Sequence, residues 1–166
     1  MDKQLTIDLN KCNGCRMCEM ACSLEKEGEC STRYSRIRVI KINESLDVPV
    51  VCLQCKEPVC EKVCPVKAIA RNNIGALWIN NDLCIGCKIC VKVCPFGAVF
   101  FNSRLKKIIK CDLCKGDPSC VKFCQPKAIE YVRKNRGDAN TKGIAAKKMM
   151  KLSKTKRNCG QEVRSR

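Results

Sequence analysis

Sixteen of the 18 cysteines in this 166-residue chain fall into four groups of four. No other feature limits the possible folds so strongly. The first group is Cys12, Cys15, Cys18 and Cys22, spaced C-x2-C-x2-C-x3-C. The second, Cys52, Cys55, Cys60 and Cys64, has four residues in its middle gap and is followed by Pro65. The third, Cys84, Cys87, Cys90 and Cys94, repeats the first spacing and runs into Pro95. The fourth, Cys111, Cys114, Cys120 and Cys124, opens its middle gap to five residues. Cys30 and Cys159 stand outside the scheme. The chain has no His, which removes histidine-ligated haem, Rieske centres, Cys2His2 zinc fingers and every mechanism that needs an imidazole base. With the cysteines set aside, roughly a third of the residues are apolar. The organic core is therefore thin, and something else must help hold the chain together.

The third group ends in the run C-x2-C-x2-C-x3-C-P, which in bacterial ferredoxins serves two [4Fe–4S] clusters. Three thiolates two residues apart can wrap one face of a cubane only if the backbone curls around it, and that curl turns successive N–H groups toward the sulfurs. Gly14 and Gly86 suit a curl that needs positive φ. The fourth cysteine lies one helical turn further on and reaches a different cluster. A following proline ends the helix. Each group thus gives three ligands to one cluster and one to its neighbour, so four groups predict four [4Fe–4S] clusters in two pairs.

Two other uses of so many cysteines compete. Zinc can be held by two C-x2-C pairs, but zinc ribbons separate their pairs by a longer spacer and do not end in a trailing Pro. Disulfides depend on compartment. The N-terminus shows no basic n-region, apolar h-region or twin-arginine pair, and no apolar run is long enough to span a bilayer. The expectation is a cytoplasmic protein, where disulfides are disfavoured; export bound to a signal-bearing partner is the one way round it.

An internal repeat supports the pairing. Cys64-Pro-Val-Lys-Ala-Ile, Cys94-Pro-Phe-Gly-Ala-Val and Cys124-Gln-Pro-Lys-Ala-Ile are versions of one segment. Short strands are expected at Ala76-Leu-Trp-Ile, Val99-Phe-Phe and Lys107-Ile-Ile-Lys, and a half-buried strand in the alternating stretch Arg36-Ile-Arg-Val-Ile-Lys-Ile. The fold class is α+β, nested two-cluster ferredoxin-like modules with a basic C-terminal helical tail. Residues 52–94 form the inner module, 1–51 with 95–132 the outer one, and 133–166 the tail. The ligand rule assigns Cys52, Cys55, Cys60 and Cys94 to one inner cluster, and Cys84, Cys87, Cys90 and Cys64 to its twin. The outer clusters take Cys12, Cys15, Cys18 with Cys124, and Cys111, Cys114, Cys120 with Cys22.

On these four groups in order, residues 3–132 resemble the four-cluster ferredoxin-like electron-transfer subunits typified by the iron–sulfur subunit of dimethyl sulfoxide reductase. That family's nesting, group one with four and two with three, agrees with the ligand rule. The compact Cys111-Asp-Leu-Cys-Lys-Gly-Asp-Pro-Ser-Cys departs from the longer loop of many exported members. With Ala21-Cys-Ser-Leu and Ser35-Arg-Ile-Arg-Val, it looks most like the small cytoplasmic subunits that accompany tungsten aldehyde oxidoreductases, benzoyl-CoA reductases and carbon monoxide dehydrogenases. Gln125, where Pro is usual, is a smaller departure. The resemblance implies a catalytic oxidoreductase partner in anaerobic metabolism, a tungsten or molybdenum pterin enzyme first and a carbon monoxide dehydrogenase or hydrogenase second, with a further redox subunit or ferredoxin on the other side. A cluster whose irons all carry thiolates has no open coordination site, so the expected role is electron transfer without catalysis. A free-standing polyferredoxin and a zinc-stabilised nucleic-acid binder are the rivals.

The formal charge of +17 invites the nucleic-acid reading, but each thiolate-ligated cluster carries about −2. Residues 131–166 hold 12 Lys and Arg against two acidic residues, so the cysteine-bearing body is near neutral once loaded. From Thr141 a helix is expected with Ala145, Met149 and Leu152 on one stripe and Lys147, Lys151 and Lys154 opposite, as a docking arm for an acidic partner or a solvated helix. Nucleic acid is not expected to bind it, since Tyr131 is its only aromatic residue. Arg16, Lys56, Lys88 and Lys115 flank the cysteine loops and are expected either to tune reduction potentials or to be solvated.

Overall fold

The computed structural model describes residues 3–43 and 46–133. Eight short strands and four helices alternate along it. The strands are β1 (Lys3–Ile7), β2 (Arg38–Asn43), β3 (Leu46–Val50), β4 (Ile69–Arg71), β5 (Leu77–Ile79), β6 (Val99–Asn102), β7 (Lys107–Lys110) and β8 (Ile129–Arg133). The helices are α1 (Met17–Glu27), α2 (Val59–Lys62), α3 (Ile89–Val93) and α4 (Ser119–Lys122). The tail expected from Thr141 lies outside the described residues.

The strands pair only in twos, as the antiparallel ribbons β1–β8, β2–β3, β4–β5 and β6–β7. Two-stranded ribbons are marginal alone and need something to lean on. Here they flank the cysteine helices, which pack in pairs: α1 on α4, and α2 on α3. The β1–β8 ribbon joins the two ends of the described chain, with Lys3 opposite Arg133 and Ile7 opposite Ile129.

The strands expected at 76–79, 99–101 and 107–110 form β5, β6 and β7, and the alternating stretch leads into β2, with Ile37 just before it and Val39 within it buried while Ile42 is exposed. The strand β3 carries Pro49 opposite Val39. Proline is tolerated there because a two-stranded ribbon leaves an open edge on each strand.

Helix lengths follow from what comes after each cysteine run. Cys94 sits at φ −66°, ψ 113° and ends α3, because the residue before a proline is pushed out of the helical region. No proline follows Cys22, so α1 runs on for 11 residues until Gly28 closes it in the left-handed conformation.

Two apolar clusters form the core. The larger joins Leu5, Ile7, Ile37, Val48, Val51 and Ile129 to Cys18, Cys22, Cys52, Cys111 and Cys120. The smaller gathers Ile69, Leu77, Ile79, Val99 and Ile108 around Cys90. The β6–β7 ribbon, which the sequence reading placed in the outer segment, thus gives Val99 and Ile108 to the packing around Cys90.

Candidate iron–sulfur site

All four C-x2-C loops share one backbone device. Their third residue, Gly14, Gln54, Gly86 or Leu113, has φ between 51° and 70°. Glycine adopts this freely; another residue pays about 1–2 kcal/mol. At Gln54 and Leu113 burial holds the conformation, with 7 % and 3 % of each residue exposed. The Gln54 side chain is pinned at both ends: its Nε2 donates to the Cys111 carbonyl at 2.9 Å, and its Oε1 accepts from the Leu77 N–H at 2.7 Å. Composition alone flags only the two glycines. Arg16, Lys88 and Lys115, each following the second cysteine of its group, are also left-handed, so these loops curl twice within four residues.

The fourth cysteine of a group meets a second device. The Ala68 N–H donates to Cys64 Sγ at 3.3 Å and the Ala98 N–H to Cys94 Sγ at 3.4 Å. Lys67 and Gly97, at positive φ, turn the chain for this bond. Ala68 and Ala98 are almost wholly buried, which leaves room for a methyl and no more. Cys22 is bonded by the Arg36 N–H at 3.3 Å from another segment. The repeat held the signal, since alanine recurs four residues after Cys64, Cys94 and Cys124, but the sulfur-directed N–H is visible only in three dimensions.

The helix pairs bring the sixteen cysteines into four neighbourhoods. Cys64, Cys84, Cys87 and Cys90 line one pocket together with Ile69, Ile79 and Ile108. Cys22, Cys111, Cys114 and Cys120 line another. Cys12, Cys15, Cys18 and Cys124 lie close enough for charge on one to raise the pKa of another. The same holds for Cys52, Cys55, Cys60 and Cys94. The neighbourhoods also touch in sequence: Cys90 feels Cys60, Cys111 feels Cys52, and Cys120 feels Cys18. Cys30 is exposed and joins none of them.

Burial sets the acidity of these thiols. It pushes Cys18 up to about 12 and Cys90 up to about 11, with charge on neighbouring groups adding to both. Cys111 and Cys120 are also raised, again chiefly by burial. Such thiols stay protonated at neutral pH unless a metal takes the proton's place.

The surrounding charges differ from site to site. Lys26 Nζ pairs with Asp112 at 2.7 Å and lies beside Cys114. Glu19, 4 % exposed, accepts from the Val39 N–H at 2.7 Å and ties α1 to β2. Among the residues expected to tune potentials, Lys88 lies over the Phe101 ring at 3.8 Å. Lys26 lowers the half-buried Cys114 thiol and Lys110 the half-buried Cys60 thiol, each against a larger effect of burial.

The donor set fits iron–sulfur clusters. It is all thiol, lies in apolar surroundings and meets sulfur-directed N–H groups, the features that hold and tune such clusters. Among the described residues no disulfide forms, and no three Cys, Asp or Glu side chains converge tightly enough for a single metal ion. Zinc would draw four sulfurs to about 2.3 Å from one point.

Comparison with known proteins agrees with this chemistry. Residues 44–134 match the family described as 4Fe-4S dicluster domain, and residues 9–32 match a 4Fe-4S binding domain. The chain belongs to the 4Fe–4S dicluster domain family and is a [4Fe–4S] protein of ferredoxin-like type. Among relatives, the polyferredoxin-like subunit of an aliphatic sulfonate oxidoreductase from Pyrococcus furiosus is 40% identical over 84 residues, 50% of this chain and 49% of that one. The electron transport protein HydN of Escherichia coli is 38% identical over 95 residues, 53% of each chain. Formate hydrogenlyase subunit 2 of Escherichia coli is 37% identical over 89 residues, 54% of this chain and 43% of that one. The matches span about half the length of these relatives. A chain of the active site complex BamBC of benzoyl coenzyme A reductase, with benzoyl-CoA, aligns over 86% of both chains at 26% identity and a TM-score of 0.49.

Proposed function

We propose that this chain is a non-catalytic electron-transfer subunit carrying four [4Fe–4S] clusters. It relays electrons between a catalytic oxidoreductase subunit, of the tungsten or molybdenum aldehyde type, and a second redox partner in the cytoplasm. The ligand sets are Cys12, Cys15, Cys18, Cys124; Cys22, Cys111, Cys114, Cys120; Cys52, Cys55, Cys60, Cys94; and Cys64, Cys84, Cys87, Cys90. The inner module is 52–94 and the outer 1–51 with 95–132, the basic tail serving as a docking arm. When bound, such clusters supply one-electron redox chemistry with no iron open to substrate.

The observation that carries this reading is the row of cysteine neighbourhoods, linked through Cys90 with Cys60, Cys52 with Cys111, and Cys18 with Cys120. The packing of α1 on α4 and α2 on α3 supports the nesting. The chain's own groups do three things here: thiolates occupy every iron, the Ala68, Ala98 and Arg36 N–H groups bond the crossing sulfurs, and apolar side chains such as Ile69, Ile79 and Ile108 line the Cys64, Cys84, Cys87 and Cys90 set. The relatives' printed names, electron transport proteins and subunits of oxidoreductases, support the role. Among the described residues no helix is long and apolar enough to cross a membrane.

Anaerobic purification from the native host tests the proposal. The expected result is co-elution with a pterin-containing catalytic subunit that reduces the clusters when given an aldehyde. A lone 18.6 kDa species with intact clusters would replace the subunit reading with a diffusing polyferredoxin.

A further inference from the structure

Two cysteines of the proposed ligand sets, Cys15 and Cys87, are exposed. Cys15 stands just ahead of α1 and Cys87 just ahead of α3, and their surroundings differ in kind. Three places recur in every cysteine loop: the residue before the first cysteine, the residue after it, and the second residue after the second cysteine. Around Cys87 they hold Leu83, Ile85 and Ile89, which are 53 %, 66 % and 40 % exposed. Around Cys15 they hold Lys11, Asn13 and Met17, with Arg16 exposed beside them. The second loop has Val51, Leu53 and Glu57 there, but Val51 belongs to the larger core cluster and Leu53 packs against it. The fourth has Lys110, Asp112 and Gly116. The third loop alone is apolar at all three places, and there all three side chains meet solvent.

Ile85 and Ile89 stand beside the ligands. With Val66 and Lys88 they line the pocket that also holds Cys64, Cys84, Cys87 and Cys90. Lys88 is the one charged residue between Cys84 and Cys90, and its Nζ lies over the Phe101 ring at 3.8 Å. Asp82 and Lys92, both exposed, flank the segment in sequence, so an apolar stretch has a charged border. The described chain leaves the loop open: a Cβ on Gly86 would meet no atom within 4 Å, whereas one on Gly14 would run into Asp47.

Brief encounters between redox proteins use small contacts steered by charge, whereas subunits that stay together bury an apolar centre inside a polar rim. The Cys87 face is of the second kind. With no unpaired run of like charge to steer an acidic or basic carrier, it is complementary to another apolar surface. An occupant of this face would also lie directly on an exposed ligand cysteine, the position from which an electron can cross to a centre of its own.

We infer that Leu83, Ile85 and Ile89 form the docking face for a permanently bound redox subunit, whose apolar surface covers Cys87 and brings its redox centre to the cluster held by Cys64, Cys84, Cys87 and Cys90. The inference rests on the electron-transfer reading and ligand sets proposed above, and adds which end of the chain is held in a lasting complex. The Cys15 loop, bordered by Lys11 and Arg16, is not part of that contact.

The test places a photo-cross-linking phenylalanine derivative at position 85, and in a parallel sample at position 13, of the full chain made anaerobically in its native host. Position 85 is expected to give an adduct with a subunit that mass spectrometry and cofactor analysis show to carry a pterin, flavin, haem or iron–sulfur group. Position 13 should give none with that subunit. With the two chains purified and recombined, Ile85→Lys and Ile89→Lys should each weaken the complex by about tenfold or more. Wild-type affinity should change little between low and high salt, because the contact is apolar. Iron and sulfide per chain should match the wild type in both variants, since the replaced side chains are exposed.

An adduct from position 85 with a second copy of this chain, with its own residues 134–166, with a protein lacking a redox group, or with no protein overturns the inference. So does an adduct with the redox subunit from position 13 instead, or full affinity in both lysine variants. Should Ile85→Lys lose its iron, Leu83→Lys, outside the Cys84–Cys90 segment, takes its place. A lone chain with intact clusters would overturn the subunit reading, whereas a co-purifying redox subunit that never touches position 85 overturns this inference alone.

Discussion

Gly14 and Gly86 occupy the same place in their loops, at φ +70° and +68°, but in different surroundings. A Cβ on Gly86 would meet nothing within 4 Å, whereas one on Gly14 would stand 2.3 Å from Asp47 Oδ2 and 2.5 Å from its Cγ. Gly86→Ala therefore costs the left-handed backbone alone, about 1–2 kcal/mol. Gly14→Ala carries the same cost and must also drive Asp47, a residue of β3, from its preferred side-chain conformation, for about 0.5–1.5 kcal/mol more. Cluster loss makes unfolding irreversible, so the useful quantity is a rate. If the whole difference falls on unfolding, about 1 kcal/mol makes Gly14→Ala lose its visible cluster absorption in guanidinium roughly fivefold faster than Gly86→Ala. Adding Asp47→Ala to Gly14→Ala, with Asp47→Ala alone as control, should bring the rate back to that of Gly86→Ala. Equal rates for the two glycine variants, or a double variant as fast as Gly14→Ala, would refute the steric reasoning.

Further consequences follow from other contacts. Burial alone would raise the Asp112 carboxyl, but the Lys26 hydrogen bond and charge hold it below its ordinary value, so its stabilisation is present above the unfolded value of about 4 and is lost as pH falls through the folded one. Asp112→Asn should flatten the acid limb of stability against pH and cost about 1 kcal/mol near neutrality, read from denaturant midpoints at several pH values. Ala98→Val should cost about 1–3 kcal/mol by overfilling a closed turn and perturb the Cys94 neighbourhood, seen as faster cluster loss with Cys12 and its neighbours spared. Removing iron with a chelator should abolish cooperative unfolding, because the apolar core is thin and the buried thiols must then take up protons; proton uptake in weakly buffered solution gives an independent readout.

The cysteine spacing made the helix pairing and the glycine curl at Gly14 and Gly86 legible, because a ligand requirement acts through near neighbours in the chain. It left Gln54 and Leu113 unmarked. Their left-handed backbone is held by burial and, for Gln54, by hydrogen bonds to Cys111 and Leu77, 57 and 23 residues away. Strands β5, β6 and β7 could be anticipated from short apolar stretches. Strand β1 could not, since five residues paired with the far end of the described chain carry little periodicity of their own. Lys110 was hidden for a similar reason. Nothing in Lys107-Ile-Ile-Lys tells the two lysines apart, but Lys107 is exposed while Lys110 is buried, where its Nζ donates to the Leu77 and Cys111 carbonyls.

The central claim is that sixteen cysteines serve four cubanes in two nested pairs. Iron and acid-labile sulfide measured per chain on anaerobically purified protein test it most directly. The account predicts about 16 of each. About eight of each would leave two groups without clusters, and zinc in place of iron would contradict the account outright.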